Sequence, residues 1–148
     1  MLKILLVLVS AMSCRIAIAD LEPYKDYDIS ESVWSVSTIN VVSNMDDAYL
    51  EAIKSAWAEG NDVAIKLGHI QDYKIFRSDL PQSGDFNLVL MVKYKNSADL
   101  APNKEKYEAW IKEWGDSRTE SWAEFADQDV AGMREITGQY IMREITLK

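Results

Sequence analysis

The chain has 148 residues, 48% of them hydrophobic, with a net charge of −8 at neutral pH, one histidine and one cysteine. That length and apolar content suffice for one domain with a real core, while the acidic balance argues against nucleic acid or anionic lipid as partner, since both demand basic surface. A zinc site of ordinary nitrogen and sulfur ligation is not available from one chain with this histidine and cysteine count.

The first residues read as an address. Lys3 precedes the apolar run Ile4–Val9, and small residues follow up to Ala17-Ile18-Ala19. A positive start, a short apolar stretch and an A-x-A-like site describe a secretory signal peptide over residues 1–19. The run is too short to span a bilayer, so no stable membrane insertion of the mature chain is expected. Arg15 sits inside the cleavage region and leaves the exact cut open. Ala11-Met12-Ser13-Cys14 offers a lipoprotein alternative, but Ala11 stands where a large aliphatic residue is usual. Export to the periplasm or medium without a lipid is therefore the expectation. Cleavage after Ala19 also removes Cys14, leaving no disulfide or thiol chemistry. It removes Lys3 and Arg15 but no acid, so the mature chain is more acidic still.

Residues 20–32 are acidic, carry Tyr24, Tyr27 and Pro23, and show no period; they read as an extended lead-in to a domain over 33–148. Residues 33–42 are rich in β-branched side chains and predict a strand. Ser43 and Asn44 are N-cap candidates, with Asp46 and Asp47 suited to the positive end of a helix. The helix is predicted over 46–67 from the stripe Leu50, Ile53, Trp57, Ala64 and Leu67, with a break at Gly60-Asn61 and a C-cap at Gly68. A second strand follows over 69–77. The loop 79–85 leads into Phe86–Tyr94, a strand apolar on both faces: Phe86, Leu88, Leu90, Val92 and Tyr94 alternate onto one side, Val89 and Met91 onto the other. A helix carrying Tyr107, Trp110, Ile111 and Trp114 comes next and stops at Gly115. Ser117-Arg118-Thr119-Glu120 reads as a capping box for a short helix with Trp122 and Phe125. The last strand is predicted over 136–147.

The order is β-α-β-β-α-β, which predicts an α+β fold: a ferredoxin-like, four-stranded antiparallel sheet with helices on one face. Helices cover one side of the Phe86–Tyr94 strand; the side bearing Val89 and Met91 needs a cover from another copy. This topology, the two-faced strand and the Trp57…Gly68-His69-Ile70…Tyr73 run resemble the dimeric α+β barrel superfamily over most of residues 33–147. In that group two ferredoxin-like subunits bring their sheets face to face around a cavity. The resemblance implies a homodimer, and function classes as different as cofactor-independent oxygenases, haem-degrading enzymes, isomerases and members of unknown role. Fold alone does not choose among them.

Few residues can carry chemistry. His69 is the only imidazole, so any such catalysis or ligation uses it; the alternative is an exposed residue at a strand entrance. No metalloprotease, nucleophile-elbow or phosphate-loop motif occurs. Asn40, Tyr73, Arg77, Val89, Met91 and Tyr140 are candidates to line a cavity between the sheets, with Arg77 and Arg143 able to anchor an acidic ligand. Trp34 is a further strand aromatic, whereas Trp57, Trp110, Trp114 and Trp122 read as helical core. No motif requires a cofactor. Haem is the lesser alternative, because some haem-degrading barrels combine Asn, Trp and His, but Asn40, Asn87, Trp34 and His69 do not match that pattern position by position. The charges Glu51, Lys54, Glu59, Lys104, Glu105, Lys106 and Glu108 read as solvated helix faces. The expected function is an exported homodimer binding a small, largely apolar or aromatic molecule between its sheets. The alternatives are an oxygenase or isomerase of that shape using His69, or an interaction protein whose interface is filled.

Overall fold

In the computed structural model, which describes residues 20–80, 84–115 and 129–148, the chain opens with two strands, Tyr27–Ile29 (β1) and Val33–Val41 (β2). The β-branched residues of β2 suit an extended backbone, and Val33, Val36, Ile39 and Val41 are buried. A helical stretch follows as Asp46–Ile53 (α1), a π turn at Lys54–Ala58, and Glu59–Lys66 (α2). The interruption falls one turn before the Gly60-Asn61 break that the sequence predicts. Just after it the Asn61 side-chain amide donates to the Trp57 carbonyl at 2.7 Å. Asn44 does not cap α1: it takes φ +67° in the preceding turn, and the helix starts without a side-chain cap.

Gly68 ends α2 as expected, at φ +69°. Its N–H donates to the Ile65 carbonyl (2.9 Å) and that of His69 to the Ala64 carbonyl (2.8 Å), a Schellman closure. His69 therefore belongs to the turn, not to the strand predicted from residue 69, and Asp72–Arg77 is β3. Leu88–Tyr94 is β4, Ser97–Leu100 a 3-10 turn, and Lys104–Gly115 α3. Phe86 falls outside β4. At that end the Asn87 side chain accepts from Val41 N at 2.8 Å and donates to Val41 O at 2.9 Å. The loop residues 81–83, the Ser117–Glu120 capping box with Trp122 and Phe125, and the Lys3–Ala19 segment lie outside the described residues.

The final strand divides into Arg134–Met142 (β5) and Ile145–Leu147 (β6). β6 pairs with β1, Tyr27 opposite Leu147 and Ile29 opposite Ile145, so part of the lead-in is a strand. Arg143 holds the junction, donating to the carbonyls of Ser30 (2.9 Å) and Glu31 (2.8 Å). That short ribbon is separate from the main sheet, whose order is β3-β4-β2-β5 with every pair antiparallel. This is the ferredoxin-like α+β arrangement expected from the sequence.

Register fixes the faces. Leu88, Leu90, Val92 and Tyr94 lie opposite Ile39, Ser37, Ser35 and Val33, and Val89 and Met91 opposite Thr38 and Val36. Leu88, Leu90 and Ile39 join Tyr49, Ala52 and Ile53 of α1 in one core cluster, each large apolar side chain contributing about 1.5–3 kcal/mol on burial. The opposite sheet face presents Trp34, Val36, Phe76, Val89, Met91, Tyr140 and Met142. Phe76, Tyr140 and Met142 are each more than half exposed.

Candidate functional site

A cleft of about 620 Å³ opens between the helices and the sheet. Four stretches build it. The π turn and α2 supply Ala56, Trp57, Gly60, Asn61 and Ala64; the turn after α2 supplies His69 and Ile70; β4 supplies Val92 and Tyr94; and the 3-10 turn with α3 supplies Asp99, Lys106, Tyr107, Trp110 and Trp114. π turns recur at functional sites because they push side chains out of the regular helical register. Here the turn carries Ala56 and Trp57 into the wall.

Aromatic contacts fix the walls. The Trp57 ring meets Tyr73 edge-on, centroids 5.2 Å apart, and Trp110 leans on Trp114 at 4.4 Å. Trp110 Nε1 donates to the Gly60 carbonyl at 2.8 Å, tying α3 to α2; a Lys66–Glu113 ion pair joins the same helices. Burial, then a hydrogen bond to Asp62, raises the pKa of the Tyr73 phenol, and burial raises that of Tyr94. Both therefore stay protonated donors near neutral pH.

One end of the cleft is polar. Lys106 Nζ sits 2.7 Å from Asp99 Oδ1, and that hydrogen bond is the largest influence holding the Asp99 carboxyl below its usual range. The imidazole of His69 is held below its ordinary value, first by burial and second by the positive charge of Lys106. A neutral imidazole and an ammonium thus share a cleft that is otherwise largely aromatic. A smaller hollow of about 250 Å³ shares the walls Ala56 and Trp57 and reaches Tyr49 and Arg134.

The residues singled out in the sequence divide between the two sheet faces. His69 lines the cleft, and Tyr73 braces its Trp57 wall. Asn40, Val89, Met91 and Tyr140 lie on the opposite, open face, where Trp34 has Lys74 Nζ and Lys93 Nζ each 5.3 Å from its ring centre. Arg77 is exposed in a separate polar hollow with Asn44 and Asp46. Asn40, Asn87, Trp34 and His69 are not brought together: Asn87 is spent on the Val41 backbone, and Trp34 and Asn40 sit across the sheet from the cleft. Among the described residues no group of three or more His, Cys, Asp or Glu side chains could hold a metal ion. No described helix is long and apolar enough to cross a membrane.

Sequence reasoning missed Asp99, Tyr94 and Lys106 as site residues. The signal for Lys106 was present: with Trp110 and Trp114 it makes an i, i+4, i+8 stripe along α3, which turns a charge taken for a solvated face toward the aromatic wall.

No family model matches the chain, and no curated protein matches it. Among solved structures it is similar to a dimeric protein of unknown function and ferredoxin-like fold from Bacteroides fragilis (13% identity, 82% of this chain and 100% of that chain, TM-score 0.41). It is also similar to a hydroxynitrile lyase from Passiflora edulis (12%, 78% and 94%, TM-score 0.43). A third is the cofactor-independent oxygenase SnoaB from Streptomyces nogalater (8%, 80% and 94%, TM-score 0.36).

Proposed function

We propose that this protein binds a small, largely apolar or aromatic molecule in the cleft between its helices and its sheet, and that it does so as an exported homodimer. The observation that carries the binding reading is the cleft itself. Its volume of about 620 Å³ falls within the roughly 300–1,000 Å³ of small-molecule sites, and apolar walls with a few convergent polar groups are what such sites require. This reading puts the site on the helix side of one sheet rather than between two sheets. There Trp57 and Trp110 offer flat apolar surface, backed by the buried Trp114, and His69, Lys106 and Asp99 offer orientation.

The homodimer rests on a different observation, the open face with exposed Phe76, Tyr140 and Met142 around Val89 and Met91. Soluble chains seldom leave a contiguous apolar face of this kind to water. A second copy meeting it face to face supplies the missing cover, and it leaves the cleft of each subunit on the outside of the pair. Export rests on the Lys3–Ala19 segment alone.

The test of binding is titration with the neutral probe N-phenyl-1-naphthylamine. Saturable fluorescence enhancement at one probe per chain is the expected result. It should be lost in Ala101→Trp, which places a large ring at an exposed position lining the cleft and should leave the thermal midpoint unchanged. Absence of saturable binding, or binding indifferent to Ala101→Trp, refutes the cleft as the site.

A further inference from the structure

We propose that the polar end of the cleft is a proton-transfer site, with His69 as the base and Lys106 as the cation that holds the anion so formed, for a small aromatic or apolar molecule carrying an acidic C–H or O–H. This rests on the binding reading above and adds a reaction to it. His69 comes from the turn after α2 and Lys106 from α3, and the two line one cleft whose remaining walls are mostly apolar. An ammonium already held in place beside these walls can meet charge that develops there without reorganising.

The ammonium is fixed. Asp99 Oδ1 holds Lys106 Nζ at 2.7 Å from the 3-10 turn, which makes Asp99 a positioning residue. The other titratable groups that line the cleft are Tyr94 from β4 and Tyr107 from α3; α2 contributes only Gly60, Asn61 and Ala64, none of which ionises. Burial and the charge of Lys106 both favour the neutral imidazole, so the base is unprotonated and available near neutral pH.

The step balances without a co-reactant. The C–H or O–H bond of the ligand breaks, the proton passes to an imidazole nitrogen, and the electron pair stays on the ligand as an enolate or phenolate facing Lys106. Return of the proton to a different atom would complete an isomerisation, and expulsion of a leaving group an elimination. Nothing is oxidised or reduced.

The test uses 5-nitrobenzisoxazole with the whole chain. A base removes its ring C–H proton, the N–O bond breaks, and a coloured nitrophenolate nitrile forms. Binding is read separately by quenching of tryptophan fluorescence. The expected result is saturable quenching with a turnover rate roughly a hundredfold or more above that of His69→Gln. The rate should rise with pH to a plateau whose midpoint lies below the free-imidazole value of 6.5. Lys106→Gln should slow turnover and move that midpoint upward, because it removes a charge that holds the imidazole low; Asp99→Asn should slow turnover and retain the pH profile's shape. Thermal midpoints within a few degrees of the parent establish that the variants fold, and His69→Asn replaces His69→Gln if that one does not. Quenching with turnover equal in parent and His69 variants overturns the proton-transfer site and leaves the binding reading standing. Absence of quenching overturns the binding reading and the inference with it.

Discussion

Trp110 donates its indole N–H to the carbonyl of Gly60 at 2.8 Å, and a Cβ placed on Gly60 would lie 3.1 Å from Cζ2 of the same ring. The bond and the close approach are one relationship. With no side chain at position 60, α3 comes close enough to α2 for the hydrogen bond without displacing the Trp110 ring. The two helices then stand as adjoining walls of the cleft, with Trp114 beside Trp110.

Substitution at Gly60 separates two opposed effects. Alanine gains up to about 1 kcal/mol of helix propensity but forces the Trp110 ring to give by a few tenths of an ångström. Gly60→Ala is expected within about 1 kcal/mol of the parent, with a changed tryptophan emission. Gly60→Leu cannot be absorbed in this way and should cost about 1–3 kcal/mol. Urea unfolding followed by far-UV circular dichroism measures both, and a Leu variant as stable as the parent contradicts the close contact.

Asn87 closes the end of the β2–β4 ladder with its side chain. It satisfies both Val41 N–H and Val41 C=O, and Val41 is 2% exposed, so water cannot readily replace it. Asn87→Ala leaves two backbone groups unpaired and should destabilise by about 1–3 kcal/mol. Asn87→Asp keeps the acceptor for Val41 N–H but sets a carboxylate oxygen against the Val41 carbonyl, so it should be no more stable than the alanine variant. Chemical denaturation ranks them; equal stability of all three would remove the structural role.

The depressed pKa of His69 makes a prediction about stability. The unfolded imidazole titrates near 6.5 and the folded one lower, so above pH 6.5 both states are neutral and the full stability is present. As pH falls below 6.5 the unfolded chain takes up the proton first, and stability declines until the folded pKa is passed. His69→Gln should flatten this part of the profile between about pH 7 and 5. Denaturation midpoints at half-unit pH steps test it. A profile identical in the two proteins would show that the imidazole is as well solvated folded as unfolded.

The open face predicts an oligomer sensitive to charge. Val89→Glu and Met91→Lys each place an ion in the centre of the face proposed to meet its copy, where desolvation without a partner is costly. Multi-angle light scattering should give twice the chain mass for the parent and a shift toward monomer or aggregate for the variants. A parent monomer at micromolar concentration, with both variants stable, would remove the second copy.

Export predicts a mature N terminus at or near Asp20. N-terminal sequencing of material from the periplasm or medium reads it directly. Intact Met1 on a soluble cytoplasmic protein would contradict export, and an acylated Cys14 would replace it with the lipoprotein alternative.

The sequence by itself determined the topology. Alternation along Val33–Val41 and Leu88–Tyr94 and the stripe through Ile53 and Trp57 are properties of single elements, and a period of two or of 3.6 is written in the order of residues. It also determined that Val89 and Met91 oppose Leu88 and Leu90, because successive side chains of a strand leave on opposite faces. The tertiary structure decided everything that depends on distance between elements. The helix irregularity lies at Lys54–Ala58, where the Asn61 side chain bonds the Trp57 carbonyl, and the last strand is divided where Arg143 reaches back to Ser30 and Glu31. Most consequentially, it opened a cleft on the helix side, where the packing of α3 beside α2 sets Lys106 and His69 on the walls of one space. A contact across dozens of residues has no local period to announce it, and its consequences for burial and charge exist only once the chain has closed.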